Sequence, residues 1–446
     1  MSIPEHAAAG LRYTVRRGSG AASGLRVPGD KSISHRAVIL GALADGETRI
    51  EGFLEARDTL ATVAALRALG VAIKGPEAGR VAVRGRGLHG LRAPGAALDL
   101  GNSGTGMRLL AGVLAGQRFG CEMVGDSSLS RRPMGRVVEP LRAMGADIEA
   151  SAAGTPPLRM APGGAGLRGI CYRMPVASAQ VKSCLLLAGL YAMGETRVIE
   201  AAPSRDHTER MLRGFGYRVD SGDGAVALTG GGRLRTTRIE VPGDISSAAF
   251  FLAGVAMTPG AELTVQGLGV NPTRTGLLTA LRRMGASIDL LGEHDSGGEP
   301  VADVRVRGAR LHGIDIEPAL VPAMIDELPV FFVAAACAEG RSRVRGAAEL
   351  RVKESDRIAV MAEVLETFGI AVRPTADGID ITGAESLRGG RVDSGGDHRV
   401  AMAAAVAALR SDAPVVIEDC ANVATSFPEF PRIAGDFGLA VEVESA

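Results

Sequence analysis

Leu66-Arg-Ala-Leu-Gly70 closes an apolar helical run and leads into the β-like stretch Val71-Ala-Ile73. The same string returns as Leu141-Arg-Ala-Met-Gly145, Leu212-Arg-Gly-Phe-Gly216, Leu281-Arg-Arg-Met-Gly285, Leu365-Glu-Thr-Phe-Gly369 and Ala434-Gly-Asp-Phe-Gly438. Each glycine stands where a helix would end in a left-handed C-cap. Ahead of it the apolar residues keep helical spacing. Val137, Leu141 and Met144 fall at i, i+4, i+7, as do Leu277, Leu281 and Met284, and Ile358, Met361, Leu365 and Phe368 continue the pattern. Behind it come apolar strands such as Ala371-Val372, with Arg80–Arg84 and Val304–Arg307 as further strands. Six copies of about 74 residues account for the 446-residue chain, the fixed-period signature of a repeat architecture.

Each copy carries an earlier helix rich in Ala and Leu, and its start is polar every time. These starts are Asp30-Lys-Ser-Ile-Ser, Asn102-Ser-Gly-Thr, Ala177-Ser-Ala-Gln, Asp244-Ile-Ser-Ser, Ile325-Asp-Glu and Asp397-His-Arg, which are N-cap residue types. Pro28-Gly-Asp-Lys-Ser32 also reappears as Pro242-Gly-Asp-Ile-Ser246, three copies later. The pattern predicts an α/β chain of two pseudo-equivalent halves with three copies each. The expected domains are 27–241 and 242–446, residues 1–26 completing the second, with Pro-Gly at both crossings. A cleft between two such domains is the default place for a ligand. A solenoid scaffold is the bland alternative, but its units tend to look alike throughout. Here the helix bodies agree while the helix starts differ in charge, which points to a shared site built at the starts.

Composition narrows the function. Lys+Arg and Asp+Glu are 50 each, aromatics are 3%, and there is no Trp. Such a chain lacks the basic field and stacking platforms of a general nucleic-acid binder. Its longest apolar runs, Val330–Ala338 and Val400–Leu409, fall short of the ~20 residues of a membrane span. Residues 1–24 show no signal-peptide core and read as a polar, partly loose leader. The five cysteines (121, 171, 184, 337, 420) form no CxxC pair. They read as buried free thiols in a reducing compartment, and a cytoplasmic monomer is expected. Only four Lys stand against 46 Arg, so each ammonium (31, 74, 182, 353) merits a question.

The helix starts converge on anion chemistry. Helix N-termini present unpaired N–H groups and partial positive charge. Nearby stand Lys31, Arg36, Arg108, Arg132, Lys182, Arg205, Arg274, Lys353, Arg357 and Arg399. The expected ligand is small and multiply anionic. Pro28–Arg36 offers an ammonium (Lys31), a hydroxyl (Ser32) and a guanidinium (Arg36). Gly101-Asn-Ser-Gly-Thr-Gly106 reads as a phosphate-binding loop or a tight turn, without the Lys of a Walker motif. Arg132 precedes a Pro suited to a first helical turn, and can grip a carboxylate or phosphate bidentately. Ser178-Ala-Gln-Val-Lys182 offers a hydroxyl, an amide and an ammonium. In Leu350–Arg357, Lys353 and Arg357 would share a helix face with Glu354 between them. Asp326 is placed at a helix start, and His398 reads as structural. No Ser-His-Asp spacing, HExxH, GxGxxG loop or clustered metal ligands stand out, so no metal or cofactor is expected. What remains is acid/base and electrostatic catalysis.

These strings, together with Arg205-Asp-His-Thr, Asn271-Pro-Thr-Arg-Thr and Thr425-Ser-Phe-Pro, resemble the 5-enolpyruvylshikimate-3-phosphate synthases, most closely the bacterial class II enzymes. The resemblance runs the length of the chain in order. It implies the two-domain enolpyruvyl transferase fold, six βαβαββ repeats, three per domain. It implies transfer of the enolpyruvyl group of phosphoenolpyruvate to the 5-hydroxyl of shikimate 3-phosphate, with release of phosphate. By the same resemblance Lys31, Ser32, Arg36, Ser178, Ala179, Gln180, Arg205, Asp326 and Lys353 hold shikimate 3-phosphate. Lys31, Gly104, Arg132, Gln180, Arg357 and Arg399 hold phosphoenolpyruvate. Asp326 and Glu354 are the implied proton-transfer pair, and Lys31 helps neutralise the leaving phosphate. Two positions depart from many relatives. Thr425 stands where a phosphoenolpyruvate-contacting Lys is common, and Ala179 where a second Ser occurs. Gly104 leaves room for glyphosate, whereas Ala there is associated with tolerance. The related UDP-N-acetylglucosamine enolpyruvyl transferases usually carry a reactive Cys in the loop before Arg-Pro; here that loop, Gly125–Ser130, has none.

Overall fold

The computed structural model describes residues 10–18, 20, 24–162 and 166–445. By internal contacts the chain forms two units. One holds Gly29–Pro242 and Asp295–Pro300; the other holds the described residues of Met1–Pro28, Gly243–His294 and Val301–Ala446. Helices α1 (Lys31–Leu43), α2 (Arg57–Ala68), α3 (Gly104–Leu114), α4 (Gly135–Ala143), α5 (Ala179–Gly189) and α6 (His207–Gly214) belong to the first unit. The second has α7 (Ile245–Ala256), α8 (Gly276–Arg283), α9 (Leu328–Ala336), α10 (Arg357–Thr367), α11 (His398–Ala407) and α12 (Phe430–Asp436).

The six repeat glycines do what their spacing suggested. Gly70, Gly145, Gly216, Gly285, Gly369 and Gly438 all have positive φ, between 77° and 109°. The next residue's N–H returns to the carbonyl five back, as in Val71 to Leu66 (3.1 Å) and Leu439 to Ala434 (2.8 Å). That bond satisfies a carbonyl the helix end would otherwise leave orphaned. Helices α2, α4, α6, α8, α10 and α12 thus turn into strands in the same way.

Five of the six repeats build the same four-stranded sheet; the fourth has three strands among the described residues, in the order Glu262–Gly269, Glu299–Arg307, Ser287–Ser296. In the second repeat, Leu98–Asp99 pairs parallel with Cys121–Val124, which pairs antiparallel with Leu158–Met160, which takes Ile148–Glu149 at the edge. The order recurs in Cys171–Arg173, Glu195–Ile199, Ala225–Thr229 and Asp220–Gly222. It recurs again in Asp315–Ile316, Arg341–Val344, Gly378–Thr382 and Ala371–Thr375. Chain order is therefore βαβαββ.

Two repeats borrow strands from afar. The first sheet takes Arg238–Glu240 as the parallel neighbour of Glu47–Glu51. The sixth sheet places Leu11–Arg16 between Val415–Glu418 and Ala440–Ser445. That segment falls inside the stretch expected to be a polar, partly loose leader and to complete the second domain, and residues 11–16 of it form an ordered inner strand. Leu11-Arg-Tyr-Thr-Val15 alternates, and Tyr13 and Val15 are buried; six residues of period two suffice for a strand. Residues 1–9, 19 and 21–23 of the expected leader lie outside the described residues.

Helices α1, α3, α5, α7, α9 and α11 are buried nearly all round beyond their first turn. This explains why they are apolar on every side. The runs Val330–Ala338 and Val400–Leu409 are such core helices, and no described helix is long and apolar enough to cross a membrane. In the first unit α3 and α5 pack so closely that a Cβ on Gly112 would sit 2.2 Å from the Cys184 carbonyl oxygen. Only Gly permits that approach. Each unit has its own apolar core, one around α1, α3 and α5, the other around α7, α9 and α11.

The cysteine expectation needs correcting. Cys184, Cys337 and Cys420 are buried, but Cys171 is exposed and Cys121 partly so. Both exceptions stand on short strands, Cys121–Val124 and Cys171–Arg173, whose burial alternates or is low. All five are free thiols.

Candidate functional site

Five of the six core helices begin on a side-chain cap. Asp30, Ser103, Ser178, Asp244 and Asp397 each accept from a backbone N–H two or three residues on. The sixth, α9, starts at Leu328 with no side-chain cap from Glu327. Asp326 was expected at that helix start; it lies just before it, in a turn.

In the first unit, Lys31 opens α1 and its ammonium pairs with Asp58 of α2. Ser32 follows, half-buried. Arg36, one turn on, is buried. Its Nε donates to Thr208 Oγ1 (2.7 Å), Nη1 to the Ser32 carbonyl (2.9 Å) and Nη2 to Ser183 Oγ (2.8 Å). Burial pushes Arg36 down to about 10, so it remains a cation at neutral pH. Arg205 lies close enough to act on it as a like charge. His35 beside them is held well below its usual value, by burial first and then by Lys31 and Arg36. It stays neutral, its Nδ1 bonded to Thr62 Oγ1 at 2.8 Å.

A second cradle surrounds Gly104, the first residue of α3. A Cβ there would lie 2.9 Å from Arg108 Nη1 and 3.1 Å from Arg132 Nη1. The missing side chain thus lets two guanidinium groups close over a helix N-terminus. Arg108 Nη1 donates to Gln180 Oε1 (2.7 Å), and Gln180 Nε2 donates to Thr105 Oγ1 (2.9 Å). Arg132 Nη2 donates to Asn102 Oδ1. Arg132 was expected to precede a helix opened by its Pro. Helix α4 begins at Gly135 instead, and Leu129–Arg131 forms a short 3-10 turn. Ser178, Ala179 and Gln180 are half-buried at the start of α5.

In the second unit the charges gather on Asp326. Its Oδ1 lies 3.4 Å from Arg357 Nη1 and 3.8 Å from Lys353 Nζ, and its Oδ2 3.8 Å from Arg399 Nη2. Arg399 Nη1 also donates to the Asp326 carbonyl at 3.1 Å. Arg357 Nη2 donates to Glu354 Oε2 at 2.6 Å, so one guanidinium holds both carboxylates. Lys353 and Arg357 were expected to share a helix face. In fact α10 starts at Arg357, and Lys353 ends the preceding 3-10 helix in extended conformation. They meet at Asp326 because the chain turns, not because of helical spacing. Burial holds Lys353 below its usual value, with Asp326 opposing and Arg357 adding to the shift.

Asp397 had been seen only as a helix cap. It is fully buried and accepts from Arg357 Nε at 2.7 Å, while capping α11 through Arg399 N at 2.9 Å. Burial would raise its carboxyl, but Arg357 outweighs that and holds it below the usual range. Arg357 is pushed the other way: burial disfavours its charge, and Asp397 and Glu354 more than restore it. Asp58 and Asp397 are thus the partners that sequence reading missed. Their signal, an acid in the first turn of a helix, is too common to single out.

Two cations grouped with the anion site turn out to be committed elsewhere. Lys182, 1% exposed, lies 3.0 Å from Glu200 and 2.7 Å from Glu209. Arg274 donates to Ser246 Oγ at 2.7 Å and lies 3.3 Å from Asp244. A buried cation keeps its charge only when paired. Thr425 is also buried, and its hydroxyl donates to the Asn422 carbonyl at 2.6 Å. Cys121 is raised to about 11 by burial, a poor thiolate source. No group of three or more His, Cys, Asp or Glu that could hold a metal is found among the described residues.

Repeated βαβαββ sheets whose core helices begin among Lys, Arg, Ser and Asp side chains suit an α/β protein that handles small anions. The comparisons narrow the class. The family model of EPSP synthase (3-phosphoshikimate 1-carboxyvinyltransferase) matches residues 15–433, and the chain belongs to that family. Relatives named 3-phosphoshikimate 1-carboxyvinyltransferase include one from Alkalilimnicola ehrlichii, 61% identical over 97% of this chain and 96% of its own. Another, from Methylococcus capsulatus, is 59% identical over 97% and 98%. A solved EPSP synthase from Acinetobacter baumannii superposes with a TM-score of 0.86 at 50% identity, covering 97% of this chain and all of that one.

Proposed function

We propose that the helix-start residues of both units carry out the family's reaction in this chain. Phosphoenolpyruvate gives its enolpyruvyl group to the 5-hydroxyl of shikimate 3-phosphate, and phosphate leaves. The observation that carries the reading is the pair Asp326 and Glu354 held by one guanidinium, that of Arg357.

The reaction needs paired proton transfers. The hydroxyl loses a proton as its oxygen attacks C2 of phosphoenolpyruvate, and the methylene carbon gains one to become a methyl group. That gives a tetrahedral ketal phosphate. Elimination then removes a methyl proton, reforms the double bond and expels phosphate. Two carboxylates supply this cycle without net proton uptake, and positioned acid/base groups contribute ~10²–10⁴ in rate. The cations supply orientation and charge stabilisation beyond that.

Lys31, Ser32, Arg36, Ser178, Ala179, Gln180, Arg205, Asp326 and Lys353 are assigned to shikimate 3-phosphate. Lys31, Gly104, Arg132, Gln180, Arg357 and Arg399 are assigned to phosphoenolpyruvate. Arg108 joins them through its bond to Gln180. With Thr425 turned into its own 3-10 helix, no Lys is available at that position, and Arg357 and Arg399 bear more of the phosphoenolpyruvate charge. The working form proposed is a monomer. Five free thiols support a reducing compartment, the cytoplasm.

The test is phosphate release from purified protein with both substrates. Release is expected with shikimate 3-phosphate. Release only with UDP-N-acetylglucosamine in its place would overturn the reading.

A further inference from the structure

Lys182 was grouped with ligand-facing cations, yet it faces inward. It lies in the first turn and a half of α5, four residues after the cap Ser178. Its ammonium lies 3.0 Å from Glu200 Oε2 and 2.7 Å from Glu209 Oε1, and donates to the Ser204 carbonyl at 3.3 Å. Glu200 Oε1 in turn accepts from the Ser204 N–H at 3.1 Å and from the Ser204 hydroxyl. Glu209 sits beside Thr208, which receives Arg36 Nε at 2.7 Å and donates to Ser183 Oγ at 2.7 Å. One ammonium therefore joins three segments: the start of α5, the 200–205 loop, and the first turn of α6.

Those segments carry residues assigned above to shikimate 3-phosphate, of which only Gln180 is also assigned to phosphoenolpyruvate. Ser178, Ala179 and Gln180 stand on the first, Arg205 on the second, and the Thr208 support of Arg36 on the third. We infer that Lys182 is a positioning residue for shikimate 3-phosphate: it fixes the loop bearing Arg205 against the helix start bearing Ser178 and Gln180. This rests on the reading of the site just given. The Gly104 cradle touches the network only through Gln180, which Arg108 and Thr105 also hold, so phosphoenolpyruvate binding is expected to change far less than shikimate 3-phosphate binding. The pairing is also costly to lose, because removing one partner of a buried set leaves the others uncompensated.

The experiment measures KM for each substrate and kcat in Lys182→Met, Lys182→Arg and Glu200→Gln, with thermal unfolding alongside. Glu200 lies at the rim of the network, 12% exposed, and its Gln variant keeps an acceptor for Ser204. It therefore decides the matter if Lys182→Met does not fold. In the folded variants Lys182→Met and Glu200→Gln, KM for shikimate 3-phosphate rises about tenfold, the loss of a buried charge-assisted bond. KM for phosphoenolpyruvate and kcat stay within about twofold, and Lys182→Arg recovers most of the affinity. Equal rises in both KM values, or none, in folded Glu200→Gln would overturn the inference. Wild-type protein inactive on shikimate 3-phosphate would instead sink the underlying reading.

Discussion

Gly104→Ala isolates the cradle proposed for phosphoenolpyruvate from the rest of the protein. Gly104 has an ordinary negative-φ helical backbone at the first position of α3. Alanine is therefore the better helix former there, by ~0.5–1 kcal/mol. That gain offsets most of the cost of weakening an Arg108 bond, so stability should change by less than about 1 kcal/mol. The new methyl group meets Arg108 Nη1 at 2.9 Å and Arg132 Nη1 at 3.1 Å, with Leu129 Cδ1 at a comfortable 3.6 Å. The two guanidinium ends must withdraw by a few tenths of an ångström. Arg108 Nη1 is the donor to Gln180 Oε1 at 2.7 Å. A charge-assisted bond of this kind contributes ~1.5–3 kcal/mol, and losing roughly half of it costs about 1 kcal/mol. That corresponds to a rise of about fivefold to tenfold in KM for phosphoenolpyruvate. Shikimate 3-phosphate, reached through Gln180 alone, should change less. Steady-state kinetics with each substrate varied, beside a thermal melt, gives the answer. A lower melting temperature with unchanged KM values would refute the reasoning, since it would make Gly104 a packing residue.

Other outcomes follow from the same geometry. Glu354→Gln should lower kcat by ~10²–10⁴ while moving either KM by less than about threefold; a wild-type rate in single-turnover experiments would remove Glu354 from the proton cycle. Asp397→Asn leaves the buried Arg357 charge short of its fully buried carboxylate partner, and should cost ~3–5 kcal/mol in urea unfolding. The pH dependence of that contribution has a definite sign. Asp397 is depressed in the folded state, so its stabilisation is fully present above the unfolded carboxylate value of ~3.9 and is lost as pH falls through the lower folded value; wild type and Asp397→Asn should converge in stability toward acid. Gly145→Ala puts a Cβ at φ +97° with no neighbour nearer than 3.5 Å. It should cost ~1–2 kcal/mol from backbone strain alone, with activity intact. Glyphosate should compete with phosphoenolpyruvate, and full turnover at millimolar inhibitor would refute that.

The repeat was legible because its punctuation is chemical. A left-handed turn after a helix all but demands Gly, so six such glycines could be counted from the sequence and all six have positive φ. Helix starts were legible for a similar reason, since Asp30, Ser103, Ser178, Asp244 and Asp397 use short polar side chains that reach a backbone N–H. What stayed hidden is pairing over distance. Nothing local distinguishes Lys31, whose ammonium meets an acid of the next helix, from Lys182, which is sealed among two glutamates and a carbonyl. In the sixth sheet the place of the N-terminal segment was hidden: residues 1–26 were expected to join the second domain, but not as an inner strand at 11–16. Lys353 shows the limit of periodicity: four residues of spacing predicted a helix face, and a bend delivered the same neighbour by another route.

That sixth sheet orders events during synthesis. Leu11–Arg16 is made well before its neighbours, since Val415–Glu418 and Ala440–Ser445 follow about 400 residues later. At ~5–20 residues per second the early strand waits roughly 20–80 s with its edges bare. The last layer of the second unit can therefore be laid down only once residues 415–445 have been made, and a nascent chain stalled before residue 415 holds a strand that lacks both of its sheet neighbours.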